Sequence, residues 1–275
     1  MRLGIVTDSH LAPEGAPPGL WHNAFDFDRA TDHLRRALAD LVDQRVDAIA
    51  MLGDLTNGGD PASLRRGLDL IAETGLPTLL VAGNHDHDEG FAALAERTSR
   101  WLANSVTMAG AAGQQVGGIR MVGLPIAGGG YDPGWLLRSL PVAEWGTEPV
   151  VVLSHFPVVS REREVTAAGL PYAGDFDDQR GLVTTMLARQ APTVVVHGHL
   201  HVRDAVAVGS LLQIGCAGLI EPPHEVSVLE MDANTETPTV RVEHRTIATS
   251  PMARSPILAP ATNSWAFRDG WQAIG

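Results

Sequence analysis

Side chains able to bind metal recur in this sequence where apolar runs end. Asp8 and His10 follow LGIVT, and Asp54 follows AMLG. Asn84, His85 and Asp86 follow LLVAG, His155 follows VVLS, and the stretch HGHLH sets His197, His199 and His201 after PTVVV. Taken singly, each has an ordinary explanation: an Asp after a strand is usually a turn former or a helix N-cap, and a His is more often a surface or satisfied core residue than a ligand. Five separate runs ending in the same way ask for a shared cause. Imidazoles, carboxylates and one carboxamide together make a donor set for Mn, Fe or Zn rather than for Ca or Mg, which take oxygen throughout. Residues two apart on a chain leaving a strand can be aimed to one side, which suits Asp8 with His10 and His199 with His201. Two carboxylates set against two divalent cations leave a positive centre, and such a centre would hold and polarise an anionic phosphoester.

The elements that must position these groups follow from the spacing between them. RLGIVTD, a helix near 26 to 44, VDAIAMLGD, a helix near 61 to 74 and PTLLVAGN form a βαβ alternation, which predicts parallel strands buried on both faces. Ligands of such sheets bind beyond the carboxyl ends of the strands, so the candidate residues should converge on one rim. After IRMVGLP, EPVVVLSH and PTVVVHGH come RDAVAVG, LLQIGCAG, EVSVLEMD and TVRVEHRT, with little room for helices between them. This predicts a second, more antiparallel sheet packed on the first. A helix near 176 to 190 has Asp175 as its N-cap, and the Pro- and Gly-containing segment 156 to 174 reads as an excursion over the surface. Residues 251–275 form a Pro-rich tail whose Trp265, Phe267 and Trp271 predict packing on the 1–250 domain or on a second subunit, so a homo-oligomer stays open.

With 275 residues, 44% hydrophobic and 19% charged, the chain suits one large globular domain. No stretch approaches the uninterrupted apolar length of a membrane span. A formal net charge of −12 excludes general nucleic-acid binding, which depends on Lys and Arg neutralising phosphates, and favours a small substrate. The lone Cys216 forms no internal disulfide and leaves no thiolate cluster for metal. The N-terminus enters a strand-like run without the pattern of a secretory signal. Both features predict a cytoplasmic protein.

The motifs Asp8-Ser-His10, Gly53-Asp54, Gly83-Asn84-His85-Asp86, His155 and Gly198-His199-Leu200-His201, in this order, resemble the signature blocks of the calcineurin-like metallophosphoesterases. The resemblance implies an α/β fold of two packed mixed β-sheets flanked by helices, a four-layer sandwich, with a dinuclear metal centre of Mn, Fe or Zn at the strand ends. By matching positions, Asp8, His10 and His201 would hold one ion and Asn84, His155 and His199 the other, with Asp54 bridging them. Two ions roughly 3.5–4 Å apart clamp a phosphoryl group and lower the pKa of bound water, which makes a shared hydroxide the in-line nucleophile. His85, beside the ligand Asn84, has no ligand role in the resemblance and is the candidate to assist the leaving oxygen. His197 has no counterpart in the family block and reads as a supporting or structural residue. Asn57 stands where the family's protein phosphatases have Asp, and GDLTNGG lacks the metal-binding Tyr of its purple acid phosphatases. TDSHL, GDLTN and AGNHD are most similar to the bacterial class III cyclic-nucleotide phosphodiesterases. Substrate contacts are expected from Asn84, His85 and Arg161, whose guanidinium matches phosphate oxygens. His22 with Asn23, the turn from Gly128 to Tyr131, and Arg163 are further candidates. The expected activity is hydrolysis of a small phosphodiester; the alternatives are a phosphomonoesterase with the same site and a non-catalytic metal-binding interaction module.

Overall fold

Alternate residues of the central strands face two different apolar layers, and this divides the molecule. In β1 (Arg2–Val6), Leu3 and Ile5 point into the space between two sheets, while Val6 joins a layer of helices. Gly4 lies beneath Leu41, where a Cβ would come 2.8 Å from its Cδ1. The computed structural model describes residues 1–86, 106–124, 140–174, 176, 179–233 and 236–274.

In chain order the elements are β1, α1 (Ala30–Asp43), β2 (Ala48–Leu52), α2 (Pro61–Glu73), β3 (Thr78–Val81), β4 (Val106–Met108), β5 (Gln114–Val116), β6 (Ile119–Gly123) and β7 (Val150–Ser154). There follow α3 (Glu162–Ala167), α4 (Gln179–Ala188), β8 (Thr193–His197), β9 (Asp204–Val208), β10 (Leu211–Gly215), β11 (Glu225–Asp232), β12 (Thr239–Thr246), β13 (Thr262–Phe267) and β14 (Trp271–Ala273). The eight-stranded sheet runs β14-β13-β12-β11-β1-β2-β3-β4, and the six-stranded sheet runs β5-β6-β7-β8-β10-β9. Both are mixed, and helices cover their outer faces, as the resemblance implied. α1 and α2 bury Leu34, Leu41 and Ile71 against the outer face of the first sheet. α4 seats Leu182 and Met186 against Val150, Val152 and Val195 of the second. Between the sheets, Leu3, Ile5 and Ala50 meet Val151, Leu153, Val194 and Ile214.

The parallel half is as the alternation predicts: β1 pairs with β2 (Leu3 opposite Ala48) and β2 with β3 (Ile49 opposite Thr78). Asp60 caps α2 by accepting from Ser63 N at 2.8 Å, with Pro61 at the first helical position. The second half differs from expectation. EVSVLEMD and TVRVEHRT do not join the second sheet: β11 pairs antiparallel with β1, and β12 with β11. The second sheet keeps a parallel centre of β6, β7, β8 and β10, and only its edge strands β5 and β9 run antiparallel. The connection 216–224 carries the chain from one sheet to the other, about 10 Å away, a step that apolar runs alone do not reveal. In the 251–275 segment, β13 and β14 extend the first sheet, and Trp265 and Trp271 enter the inter-sheet core. Trp271 Nε1 donates to Thr193 O (3.2 Å) and Ser210 O (3.1 Å), fastening the segment to the second sheet as well. The stretch 156–174 is less of a surface excursion than expected, because Val158, Val165 and Leu170 are buried and α3 forms within it. Asp175 and the turn from Gly128 to Tyr131 lie outside the described residues. Among the described residues no helix is long and apolar enough to cross a membrane.

Candidate metal centre

The exits of β1, β2, β3, β7 and β8 meet at one rim. Asp8 N donates to Gly53 O (3.1 Å) and His10 N to Asp54 O (2.9 Å), so the first two ligand loops are fastened to each other by their backbones. Asp8, His10, Asp54, His199 and His201 all have positive φ, between 45° and 60°. That region is costly for residues with a Cβ, and such strain gathers at functional sites. Two glycines allow the crowding: a Cβ on Gly83 would collide with Asp54 Oδ1, and one on Gly198 would collide with Thr7 Oγ1 and stand 2.5 Å from Asp8 Oδ2.

Each carboxylate is divided between the protein and the centre. Asp8 Oδ2 accepts from Thr7 Oγ1 (2.6 Å) and His199 N (3.1 Å), while Oδ1 faces His201 Nε2 (3.2 Å) and His10 Nε2 (3.9 Å). Asp54 Oδ1 accepts from His85 N (2.8 Å), while Oδ2 lies between His155 Nε2 (3.4 Å) and His10 Nε2 (3.5 Å). Asn84 Oδ1 is 3.0 Å from His155 Nε2.

The imidazoles are divided in the same way. The acceptors are Leu52 O for His155 Nδ1 (2.8 Å), Ala173 O for His199 Nε2 (3.0 Å), Glu221 Oε1 for His201 Nδ1 (2.8 Å) and Asn57 Oδ1 for His10 Nδ1 (3.1 Å). An oxygen that only accepts requires the ring nitrogen to donate, which fixes the tautomer and leaves a lone pair on the other nitrogen. Asp8, His10 and His201 form one group with ligand atoms mutually within 4.8 Å, and Asp8, Asp54 and His155 form another. Asp8 Oδ1 and His10 Nε2 are buried without any hydrogen-bond partner. Inner ring nitrogens set against carboxylate and carboxamide oxygens call for positive charge between them, supplied by protons or by a pair of cations.

The electrostatics show the same demand for positive charge. Burial pushes the Asp8 and Asp54 carboxyls up, but the facing histidines, His201 for Asp8 and His155 for Asp54, hold both well below the usual range. Burial opposes protonation of His155 and His201, yet Asp54 carries His155 up to about 9 and Asp8 carries His201 up to about 10. Burial lowers His10 to about 4 and His199 to about 3, the latter also repelled by His155. Burial and the charge of Asp54 raise Asp86 to about 6. Asp86 accepts from Thr56 N (2.9 Å), Thr56 Oγ1 (2.9 Å), Leu55 N (3.2 Å) and Gly83 N (3.1 Å), so it clamps the Asp54 loop to the Asn84 loop.

His85 is exposed at the mouth, its ring 4.7 Å from that of His10. His197 is buried behind the rim, with Nδ1 3.0 Å from Gly198 O. The sequence expectation for Arg161 is corrected by its surroundings. Its Nε and Nη2 are bonded to Asp204 (Nη2 to Oδ1 at 3.1 Å) and its Nη1 lies 3.3 Å from Glu164, so all three guanidinium nitrogens are engaged. His22 and Asn23 are likewise structural: His22 Nε2 donates to Leu200 O (2.7 Å), and Asn23 holds the 253–254 backbone through Oδ1 and Nδ2. Arg163 is exposed. Sequence reasoning missed the parts played by Glu221, Asn57 and Thr7, which orient the candidate ligands His201, His10 and Asp8. The signal for Glu221 was a lone acid in the apolar stretch CAGLIEPP.

Two helix-covered mixed sheets with this donor set at their shared rim define a metal-centred phosphoester hydrolase fold. The chain belongs to the calcineurin-like phosphoesterase family, whose model matches residues 1–203. Among curated proteins it is 25% identical over 230 residues to a "Probable cyclic nucleotide phosphodiesterase" of Synechococcus sp., covering 78% of this chain and 79% of that one. Among solved structures it is similar to a dimetal phosphatase from Danio rerio (TM-score 0.61, 16% identity, 92% of this chain and 98% of that one). A protein of Thermus thermophilus gives a TM-score of 0.59 at 14% identity, with 90% and 99% covered. At such identities the structural likeness speaks for the fold.

Proposed function

We propose that the protein is a metal-dependent phosphodiesterase that hydrolyses a small diester, a cyclic nucleotide or a similar compound. Asp8, His10 and His201 would hold one ion and Asn84, His155 and His199 the other, with Asp54 serving both. When bound, such a pair of ions supplies Lewis acidity toward phosphoryl oxygens and an activated water. The chain's own contribution is positioning and proton handling. Asp54 is held by His85 N through one oxygen so that the other faces both ligand groups. Asn84 and His85 would contact the phosphoryl group, and His85, exposed at the mouth, would donate to the leaving oxygen or stabilise its charge.

The observation that carries this reading is the set of four imidazoles whose outer nitrogens are tied to oxygen acceptors, with the inner nitrogens of His10, His155 and His201 turned to the Asp8 and Asp54 carboxylates. The diester is favoured by charge. A monoester dianion asks for more cationic partners than a diester monoanion, and the guanidinium the sequence offered, Arg161, is committed to Asp204 and Glu164. The relative from Synechococcus supports the same choice. Turnover of bis-p-nitrophenyl phosphate, p-nitrophenyl phosphate and 2′,3′- and 3′,5′-cyclic nucleotides with Mn²⁺, Fe²⁺ or Zn²⁺ tests the proposal. Preference for the monoester overturns the diester assignment, and no turnover by metal-replete protein leaves the binding-module alternative.

A further inference from the structure

Asp26, His33 and His224 form a separate group of metal-capable side chains, each offering one ligand atom within 4.8 Å of the others. Asp26 precedes the helical turn that leads into α1, His33 lies in the first turn of α1, and His224 stands just before β11. His33 Nε2 is 3.9 Å from Asp26 Oδ2, and the two imidazoles have centroids 4.3 Å apart at 56°. His33 is 1% exposed, and neither of its ring nitrogens has a hydrogen-bond partner. A neutral imidazole carries one donor and one lone pair, so this side chain buries both without use. His224 is oriented as the ligands of the main centre are: its Nδ1 donates to Leu219 O at 2.9 Å, which leaves the lone pair on Nε2, 3.1 Å from Ser250 Oγ. It also has their backbone conformation, with φ of 51°. Burial lowers both imidazoles, His33 to about 4, and so keeps them in the neutral form that binds metal.

We propose that Asp26, His33 and His224 form a third, mononuclear cation site for a Zn²⁺-like ion, distinct from the hydrolytic pair, with Ser250 Oγ or a water as fourth ligand. Two imidazoles, a carboxylate and one further oxygen are a tetrahedral zinc set, and bonds of about 2.1 Å separate such ligands by about 3.4 Å. The observed 3.9 Å therefore closes with small side-chain rotations. The competitor is Arg29, whose Nε and Nη2 hold Asp26 Oδ2 at 2.7 and 2.5 Å and whose Nη2 also donates to Ser250 Oγ at 3.1 Å; its side chain is 52% exposed, and the ion would have to displace it from both groups. The role follows from the neighbours. Asp26 N donates to Ile220 O and His224 N to Glu221 O. The ion would thus tie α1 to the segment of Phe25, whose ring lies 5.0 Å from His10 and 5.7 Å from His201, and to the segment of Glu221, which orients His201.

The test is metal stoichiometry on the full chain. Zn²⁺-saturated wild type should hold one equivalent more than His33→Gln or His224→Asn, the latter chosen because Asn tolerates left-handed backbone. A background carrying Asp54→Asn and His155→Gln loses the shared carboxylate and one ligand of the second ion but keeps Asp8, His10 and His201, so the site is read by difference: one Co²⁺ equivalent with tetrahedral visible bands should be lost from it when His224→Asn is added. In that background Arg29→Gln should tighten Co²⁺ binding several-fold by freeing the Asp26 carboxylate. Equal stoichiometry in wild type and both single variants, or an Arg29→Gln affinity unchanged or weaker, overturns the proposal. Failure of the dinuclear assignment would show differently, as equal metal uptake by wild type and the Asp54→Asn, His155→Gln background.

Discussion

Glu221→Gln is the most direct probe of how this centre is held. Glu221 is fully buried, and its two oxygens serve two donors: Oε1 takes the His201 Nδ1 proton at 2.8 Å and Oε2 takes Asn23 N at 2.5 Å. A carboxamide of the same shape has one acceptor oxygen, so either His201 loses the partner that fixes its tautomer or Asn23 N–H faces an NH₂ group. In the first case the Nε2 lone pair directed at Asp8 Oδ1 is no longer enforced, and removal of such a support typically lowers metal affinity about 10- to 100-fold, or about 1.4–2.7 kcal/mol. In the second case a buried donor goes unpaired at a cost of about 1–3 kcal/mol in fold stability. Competition against a chromophoric chelator reads the affinity, a thermal melt of the metal-free protein reads the stability, and turnover at saturating metal checks that the chemistry survives. A variant with wild-type metal affinity and an unchanged melting temperature would refute the reasoning, because neither donor would then depend on that carboxylate.

His85→Ala should lower turnover about 100- to 10,000-fold while both metal equivalents remain, and metal loss in that variant contradicts the assignment. Gly198→Ala should lose metal binding and thermal stability together, since its Cβ would stand 2.5 Å from Asp8 Oδ2 in a buried loop; a melt and metal content equal to wild type would show that the loop has room. Chelator-treated protein should lose stability as pH rises from about 6.5 toward 9–10: His155 and His201 are raised to about 9 and about 10, so their contribution is complete below the unfolded histidine value and disappears through those folded values. Metal takes the place of those protons, so thermal melts of loaded protein should lack this alkaline fall; an identical fall with and without metal would contradict the charge assignment.

The candidate ligand residues could be singled out because each is a polar island at the end of a strand buried on both faces, where an apolar run stops abruptly. Their supports were not legible for the same physical reason in reverse. Leu52 O and Ala173 O are backbone acceptors with no sequence signature, and Asn57 lies 47 residues from the His10 it orients. Arg161 illustrates the error that results. Read alone it is a free guanidinium near a predicted anion site, but Asp204, 43 residues further on, holds it bidentately. Sheet membership failed likewise: EVSVLEMD has the same apolar alternation in either sheet, and only the path of 216–224 assigns β11 to β1.

The left-handed backbone at Asp8, His10, Asp54, His199 and His201 explains how so few residues build the centre. A non-glycine residue in that region costs about 1–2 kcal/mol, so five of them require compensation from their surroundings. The compensation is visible on both sides of the first loop. Asp8 N, His10 N and Leu11 N donate to Gly53 O, Asp54 O and Leu55 O, while Leu219 N and Ile220 N donate to Thr7 O and Asp8 O. Cys216 N closes the third side on His197 O. The loop leaving β1 is therefore held as an extra pseudo-strand between the Asp54 loop and the 216–220 segment, and its side chains cannot relax out of the positions that strain their backbone. It follows that backbone hydrogen bonds fix the spacing of the candidate ligand atoms. The price of that arrangement is a rim of buried lone pairs and carboxylates that is satisfied only when positive charge, as protons or as metal, is present.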